Sequence, residues 1–383
     1  MEQNDVIGSD GRTRHRRGIT LPAAGAGEKP VITLYRIGFA ALWVLITTAL
    51  GTMLYSGFRG RGEGVGGVLT LGIVFTAGLV WYLYRTGPSV AALPNLEPLA
   101  FPGRTFGSRL WRLTLLLLVG PTLVSAALIL PWYPIGGMDL VENVYRYLRP
   151  WIVLEGLLAL TALRIVVMWR RRLTPRLVAV GIAVGLLAGA AQAVQIASSG
   201  DAFDVFWAVL QTVAVPPLFI GGGLLLEHTG IGRSRLLKGE YGGAFVSFLA
   251  GCVLYLPLAL VNTVGGAHAG YTWMDALWKP LAFSWLPALA EEAWARLFLV
   301  TLCYALLRPV SNERPHRAVI AAVLLSATAH GLVHGPSLSA LLETGLIYLL
   351  PMAVLFVKRD WEHAVGAHYV VNLVPFLAVF LGL

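Results

Sequence analysis

Apolar runs of about 20 residues recur along this 383-residue chain, and no other feature constrains its fold as strongly. A helix of that length crosses a hydrocarbon core about 30 Å thick, and in lipid only helices or closed barrels satisfy their own backbone groups. Strand-like alternation is absent, so the expected fold is all-α: a polytopic transmembrane helical bundle. About eleven spans are expected, at 31–56, 65–84, 110–131, 150–169, 177–197, 207–226, 244–264, 281–307, 318–335, 338–357 and 362–382. Composition agrees, with 57% hydrophobic and 13% charged residues, where a soluble domain carries roughly a quarter charged. The expected location is the cell membrane, multi-pass, with the lipid bilayer as a partner.

The formal net charge of +9 does not point to nucleic acid, because the basic residues sit between apolar runs and topology accounts for them. With the N-terminus in the cytoplasm, Arg59, Arg61, Arg146, Arg149 and Lys279 fall in outer loops, and Arg36, Arg164 and Arg296 lie within spans. The remaining Lys and Arg fall on the inner side, the bias that basic loops impose on orientation. Residues 1–30 hold no apolar run suited to a signal peptide and are expected to form a disordered basic cytoplasmic tail. The polar, glycine-bearing stretch at 227–243 divides the rest into an N-terminal transmembrane bundle (31–226, about six spans) and a C-terminal bundle (244–383, about five). Cys252 and Cys303 both lie in apolar runs and read as small core residues rather than a disulfide. Trp81, Trp132, Trp169 and Trp278 fall near span ends, as an interfacial aromatic belt requires.

The first six spans carry few polar residues. Arg36 is placed to snorkel to the inner surface. Glu155 and Arg164, and Gln192 with Gln195, suit interhelical hydrogen bonds. Pro216 and Pro217, which cannot donate backbone hydrogen bonds, are expected to kink the sixth span.

The eighth span differs in kind. Its segment LAEEAWARLF puts Glu291, Glu292 and Arg296 inside the membrane, where each ionised side chain costs several kcal/mol unless it pairs, faces a cavity or does chemistry. On a helix, residues four apart share a face, so Glu292 stands over Arg296 while Glu291 points about 100° away. That divides the glutamates into one held by a cation and one free to act as a general base. Pro287, four residues before Glu291, is expected to open the helix locally. The ninth span ends SATAHGLVHG, with His330 and His334 one turn apart, and the last contains HAVGAHYVVN, with His368 and Asn372 again four apart. Side chains of these types activate water and donate to a developing oxyanion. Read structurally, the same cluster is a set of salt bridges holding the bundle together.

Three helices carrying EExxxR, HxxxH and HxxxN in that order resemble the CAAX protease and bacteriocin-processing (CPBP) family of glutamate-dependent intramembrane endopeptidases, which includes the Ras-converting CAAX protease. The family pattern is EExxxR, FxxxH and HxxxN/D on separate transmembrane helices, and the likeness covers roughly residues 280–375. The phenylalanine of the second motif is replaced here by His330, and sequence context favours His334 as the motif histidine, with His330 its rival. The resemblance implies hydrolysis of a peptide bond in a membrane-embedded or C-terminally anchored peptide. Glu291 and the motif histidine would activate water, His368 and Asn372 would stabilise the oxyanion, and Glu292 with Arg296 would orient Glu291. No cofactor is implied, although three histidines and a carboxylate also suffice as zinc ligands. The alternative is a non-enzymatic membrane scaffold, immunity factor or transporter using the cluster structurally. That reading is tested by whether the side chains converge on one cavity.

Overall fold

The computed structural model describes residues 65–382, apart from 90–92, 94, 95, 97, 98, 100, 265–269, 312, 313 and 336. The expected tail, the first span and Arg36 lie outside the described residues. The described residues form an all-α bundle without strands, in which nine helices are long and apolar enough to cross a membrane. In chain order we label α1 (Val65–Thr86), α2 (Phe106–Tyr147), α3 (Pro150–Met168), α4 (Pro175–Ser199) and α5 (Ala202–Thr229). These are followed by α6 (Tyr241–Val264), α7 (Trp278–Val310), α8 (Pro315–Val333), α9 (Leu341–Lys358) and α10 (Trp361–Leu381). The nine are α2 to α10, and with α1 these helices coincide with the second to eleventh expected spans.

Local signals in the sequence set several helix ends. Thr174 caps α4 by accepting from Leu177 N, Pro175 takes the first turn where its missing N–H costs nothing, and Gly200 ends the helix at φ 65°, a left-handed conformation that suits glycine. Asp201 then caps α5 by accepting from Phe203 N. The α5 helix is continuous through Pro216 and Pro217, and Gly185 of α4 leaves room for the Pro216 ring beside it. The α2 helix is interrupted, by a π-helical turn at Leu115–Val119, a 3₁₀ turn at Leu130–Trp132, and Gly137 at φ 64°.

Residues from both halves of the chain share one core. Leu154 and Leu158 of α3 and Leu218, Phe219 and Leu225 of α5 are buried in the same cluster as Leu297, Val300 and Phe356. A Cβ at Gly222 of α5 would come within 2.8 Å of the Leu297 backbone, so glycine lets α5 press directly on the charged helix α7. An even closer crossing joins α6 to α10. A Cβ at Gly366 would collide with the Phe248 carbonyl, and one at Gly251 with the His363 carbonyl. At this crossing the Cys252 thiol donates to Gly366 O at 3.3 Å. Both cysteines are free thiols, and Cys303 is wholly buried.

Loops assigned to one side by their basic residues touch one another. Arg359 donates to Thr86 Oγ1 at 2.6 Å, Lys358 to Pro88 O at 3.1 Å and Arg235 to Asp360 at 3.2 Å. On the opposite side Arg146 pairs with Asp201. Trp81, Trp132 and Trp278 are exposed.

Candidate active site

Chemistry concentrates where α7 departs from α-helical form. After a short helix, Trp278–Phe283, the chain resumes at Trp285–Glu291 and then widens into a π-helical segment, Glu292–Val300. Pro287 sits in the first turn of Trp285–Glu291, where a missing N–H is tolerated, so the opening lies after Glu291 and not at the proline. A widened helix weakens its own hydrogen-bond ladder, and inside a membrane the loosened carbonyls need other donors. Neighbouring helices supply them: Trp361 Nε1 donates to Glu292 O at 3.2 Å and Ser326 Oγ to Ala295 O at 2.6 Å. The π segment Leu341–Leu349 of α9 is served in the same way. Tyr255 Oη donates to Tyr348 O, Thr76 Oγ1 to Ile347 O, and the Arg296 guanidinium to Leu349 O.

Glu292 and Arg296 are completely buried. They lie 3.4 Å apart, an ionic contact without hydrogen-bond alignment. Each is tied to another helix. The Arg296 guanidinium lies 2.5 Å from His330 Nδ1 of α8, and Glu292 Oε1 lies 2.8 Å from His368 Nδ1 of α10. An arginine only donates, so His330 Nδ1 accepts and its proton resides on Nε2. That Nε2–H donates to Glu291 Oε2 at 2.5 Å. The same carboxylate oxygen lies 3.6 Å from His368 Nε2 and 3.8 Å from His334 Nε2. The Glu291 side chain is 25% exposed and that of His334 42%, whereas His330 is fully buried against the Trp294 ring.

Six of the seven residues expected from the sequence therefore converge. Of the two histidines, His330 is the closer to Glu291, and it also bridges that carboxylate to Arg296. His334 is the histidine that faces outward. Asn372 stands one turn beyond His368, half-buried, and its Nδ2 donates to His368 O at 3.1 Å.

The start of α10, which sets the position of His368, is fastened in the same manner. Asp360 caps the helix by accepting from His363 N at 2.9 Å and also accepts from Ser247 Oγ at 2.9 Å. Glu362 accepts from Ser234 Oγ and Leu236 N. Trp361 N donates to Arg233 O at 2.8 Å. Burial acts to raise the Asp360 pKa, but the His363 ring and backbone N–H and the Ser247 hydroxyl outweigh it and hold this carboxyl below its usual range.

Donor atoms of Glu291, His330 and His334 all lie within 4.8 Å of one another. A metal held by these three residues would require the hydrogen bond between His330 and Glu291 to give way. Tetrahedral ligands at about 2.0–2.1 Å from zinc sit roughly 3.3 Å apart, whereas His330 Nε2 is hydrogen-bonded to Glu291 at 2.5 Å and carries its proton there.

Two cavities adjoin the site, one lined by Glu291 and the other by His334, and the N-terminal half supplies part of the wall of both. A groove of about 670 Å³ runs between α2, α3 and the end of α8 and is lined by Leu117, Ile129, Trp151, Val333 and His334 among others. A smaller cavity of about 50 Å³ is enclosed by α3, α5 and α7, with Glu155, Gln211, Trp207, Trp294 and Glu291 on its walls. Trp151, Leu154 and Val333 line both. Reading the sequence did not place these walls at the site. The available signal was Glu155, a carboxyl in a span, taken there as a helix-joining residue. It does join helices, since Gln211 of α5 donates to both its oxygens at 3.1 and 3.2 Å. Gln192 and Gln195 bond each other within α4, and Gln195 reaches Asp204 of α5. Arg164, expected to pair between helices, is exposed.

In comparisons with family models, with characterised proteins and with solved structures, nothing matches the chain.

Proposed function

We propose that this protein is an intramembrane endopeptidase in which Glu291 activates water to hydrolyse a peptide bond of a membrane-embedded or membrane-anchored peptide, as in the CPBP proteases that its motifs resemble. The observation that carries the reading is the single oxygen, Glu291 Oε2, within 3.8 Å of ring nitrogens from His330, His334 and His368, on a carboxylate open to a cavity. A purely structural cluster has no need of a partly exposed glutamate with an exposed histidine 3.8 Å from its carboxylate oxygen. The groove ending at His334 is long enough and apolar enough to seat an extended peptide segment.

In the proposed reaction His330, locked by Arg296, holds Glu291 ionised and oriented. A water lies against Glu291 Oε2 and His334 Nε2, which are close enough for one molecule to touch both. Glu291 takes a proton as the water oxygen bonds to the peptide carbonyl carbon. The oxyanion accepts a hydrogen bond from His368 Nε2 in its imidazolium form, whose Nδ1 is anchored on Glu292, while Asn372 supports the same turn. Glu291 then returns the proton to the amide nitrogen, the C–N bond breaks, and the remaining water proton passes from the new carboxyl group to the amine, so that the products leave as carboxylate and ammonium.

The test is cleavage of a library of membrane-tethered peptides in proteoliposomes, with products read by mass spectrometry. Wild type is expected to cut a subset, and Glu291→Gln to lose at least about 100-fold in rate, the scale of a general base, without loss of fold. His334→Ala is expected to fall by roughly ten- to a hundredfold, and chelators to change nothing. Equal processing by wild type and Glu291→Gln overturns the enzymatic reading in favour of a scaffold, immunity or transport role. Chelator sensitivity with stoichiometric metal returns zinc.

A further inference from the structure

We infer that the small cavity bounded by α3, α5 and α7 is the chamber that stores water and passes it to the Glu291 carboxylate, with Gln211 and Glu155 as its positioning residues; this deepens the hydrolase reading and rests on it. Three features of the cavity point the same way. Its volume of about 50 Å³ exceeds the roughly 10–15 Å³ that a single water requires. Its walls carry polar groups from three helices, Glu155 from α3, Gln211 from α5 and Glu291 from α7. Gln211 is 1% exposed, and its Oε1 has no partner although Nε2 is fully engaged with Glu155. Turning the amide over would set Oε1 against the Glu155 carboxylate and leave Nε2 unmatched instead, so Gln211 keeps one polar atom without a protein partner in either orientation. A buried, unmatched amide atom costs stability unless water meets it, and a water there is bounded by a carboxyl on each side.

The surrounding rings explain why such water would stay. Trp151 and Trp207 pack edge to face with centroids 4.5 Å apart, and Trp294 closes the side towards His330. Trp151 belongs to both cavities, so water in the chamber is parted from the apolar groove by little more than one indole and the Leu154 and Val333 side chains. Water held by Gln211 beside Glu291 is thus supplied from behind the carboxylate, while the peptide enters along the groove. This arrangement also gives the N-terminal half of the chain a task in the reaction: α3 and α5 bring the water, and α7, α8 and α10 bring the acid–base groups.

The proposal makes separate demands on structure and on rate. An experimental structure of the full chain in lipid nanodiscs, at a resolution that shows ordered water, is expected to contain at least one water within hydrogen-bonding distance of both Gln211 and Glu155 or Glu291; a dry chamber overturns the proposal whatever the enzyme does. In the peptide-cleavage assay, Gln211→Met keeps the packing but removes the amide, and is expected to lower kcat at least tenfold while KM stays within twofold. Glu155→Gln, which still bonds Gln211, is expected to keep most of kcat, and Glu155→Leu is not. If Glu291→Gln is inactive but Gln211→Met turns over normally, this role falls and the hydrolase reading stands. If Glu291→Gln itself cleaves normally, the hydrolase reading falls and takes the role with it. A drop confined to KM places Gln211 in peptide binding and likewise overturns the inference.

Discussion

The charges of the two halves of this bundle are held in different ways. In the cluster shared by α7, α8 and α10 the ionisable groups touch one another: Arg296 meets Glu292 and His330, Glu292 meets Arg296 and His368, and Glu291 meets three histidines. In α3 and α5 the buried carboxyl Glu155 bonds a neutral amide, and Arg164 faces outward. A closed network of cations and anions fixes ionised groups in low dielectric, because each offsets the desolvation of the next. A carboxyl matched only by an amide stabilises a helix contact and leaves its surroundings able to take up water. The difference separates a region that fixes charge from one that admits solvent.

Substitutions should expose that contrast. The largest effect is expected for Arg296→Met, which strands a fully buried Glu292 and should cost about 3–5 kcal/mol, whereas Arg164→Met should stay within about 0.5 kcal/mol. Denaturant or thermal unfolding in lipid measures both, and equal losses would erase the distinction. Next in size is Gly366→Val, which forces α10 off the α6 backbone. It should cost at least about 1–3 kcal/mol and also depress cleavage, because His368 moves with the helix. The cap of α10 comes third, with Asp360→Asn expected to cost on the order of 1 kcal/mol at pH 7.

That cap carries a pH signature. The folded Asp360 pKa is lowered, below the roughly 3.9 of an unfolded aspartate. Its contribution is therefore complete above that value and is lost as pH falls through the folded pKa. The gap in stability between wild type and Asp360→Asn should narrow on acidification, and a gap that widens below pH 4 would refute the assignment. The smallest effect is expected for Glu155→Leu with Gln211→Leu together. Replacing both partners by apolar groups should change stability by less than about 1 kcal/mol, while cleavage falls.

Much of the architecture was legible because hydrophobic run length is a strong signal and loop charge orders the runs. The site was legible in part. Helical spacing paired Glu292 with Arg296 and put His330 and His334 on one face, yet periodicity does not say which histidine turns inward. Burial against Trp294 and the contact with Arg296 decide that, and both arise from packing between helices distant in sequence. Pro287 suggests a local opening of the helix, but its ring fits the first turn of Trp285–Glu291 and the widening begins at Glu292. Trp151 and Gln211 escaped notice because a residue that lines a cavity has no local pattern of its own.

The π-helical segment from Glu292 to Val300 gives this helix slack in the length of the chain. A π turn takes in more residues than an α turn, so the loss of one residue between Arg296 and Val300 is absorbed as the coil tightens towards α-helical form, and the side chains beyond it keep their faces. The same loss from a helix that is α-helical throughout turns everything beyond it by about 100°. A gap placed in this stretch when related chains are aligned is therefore compatible with the later motifs staying in register.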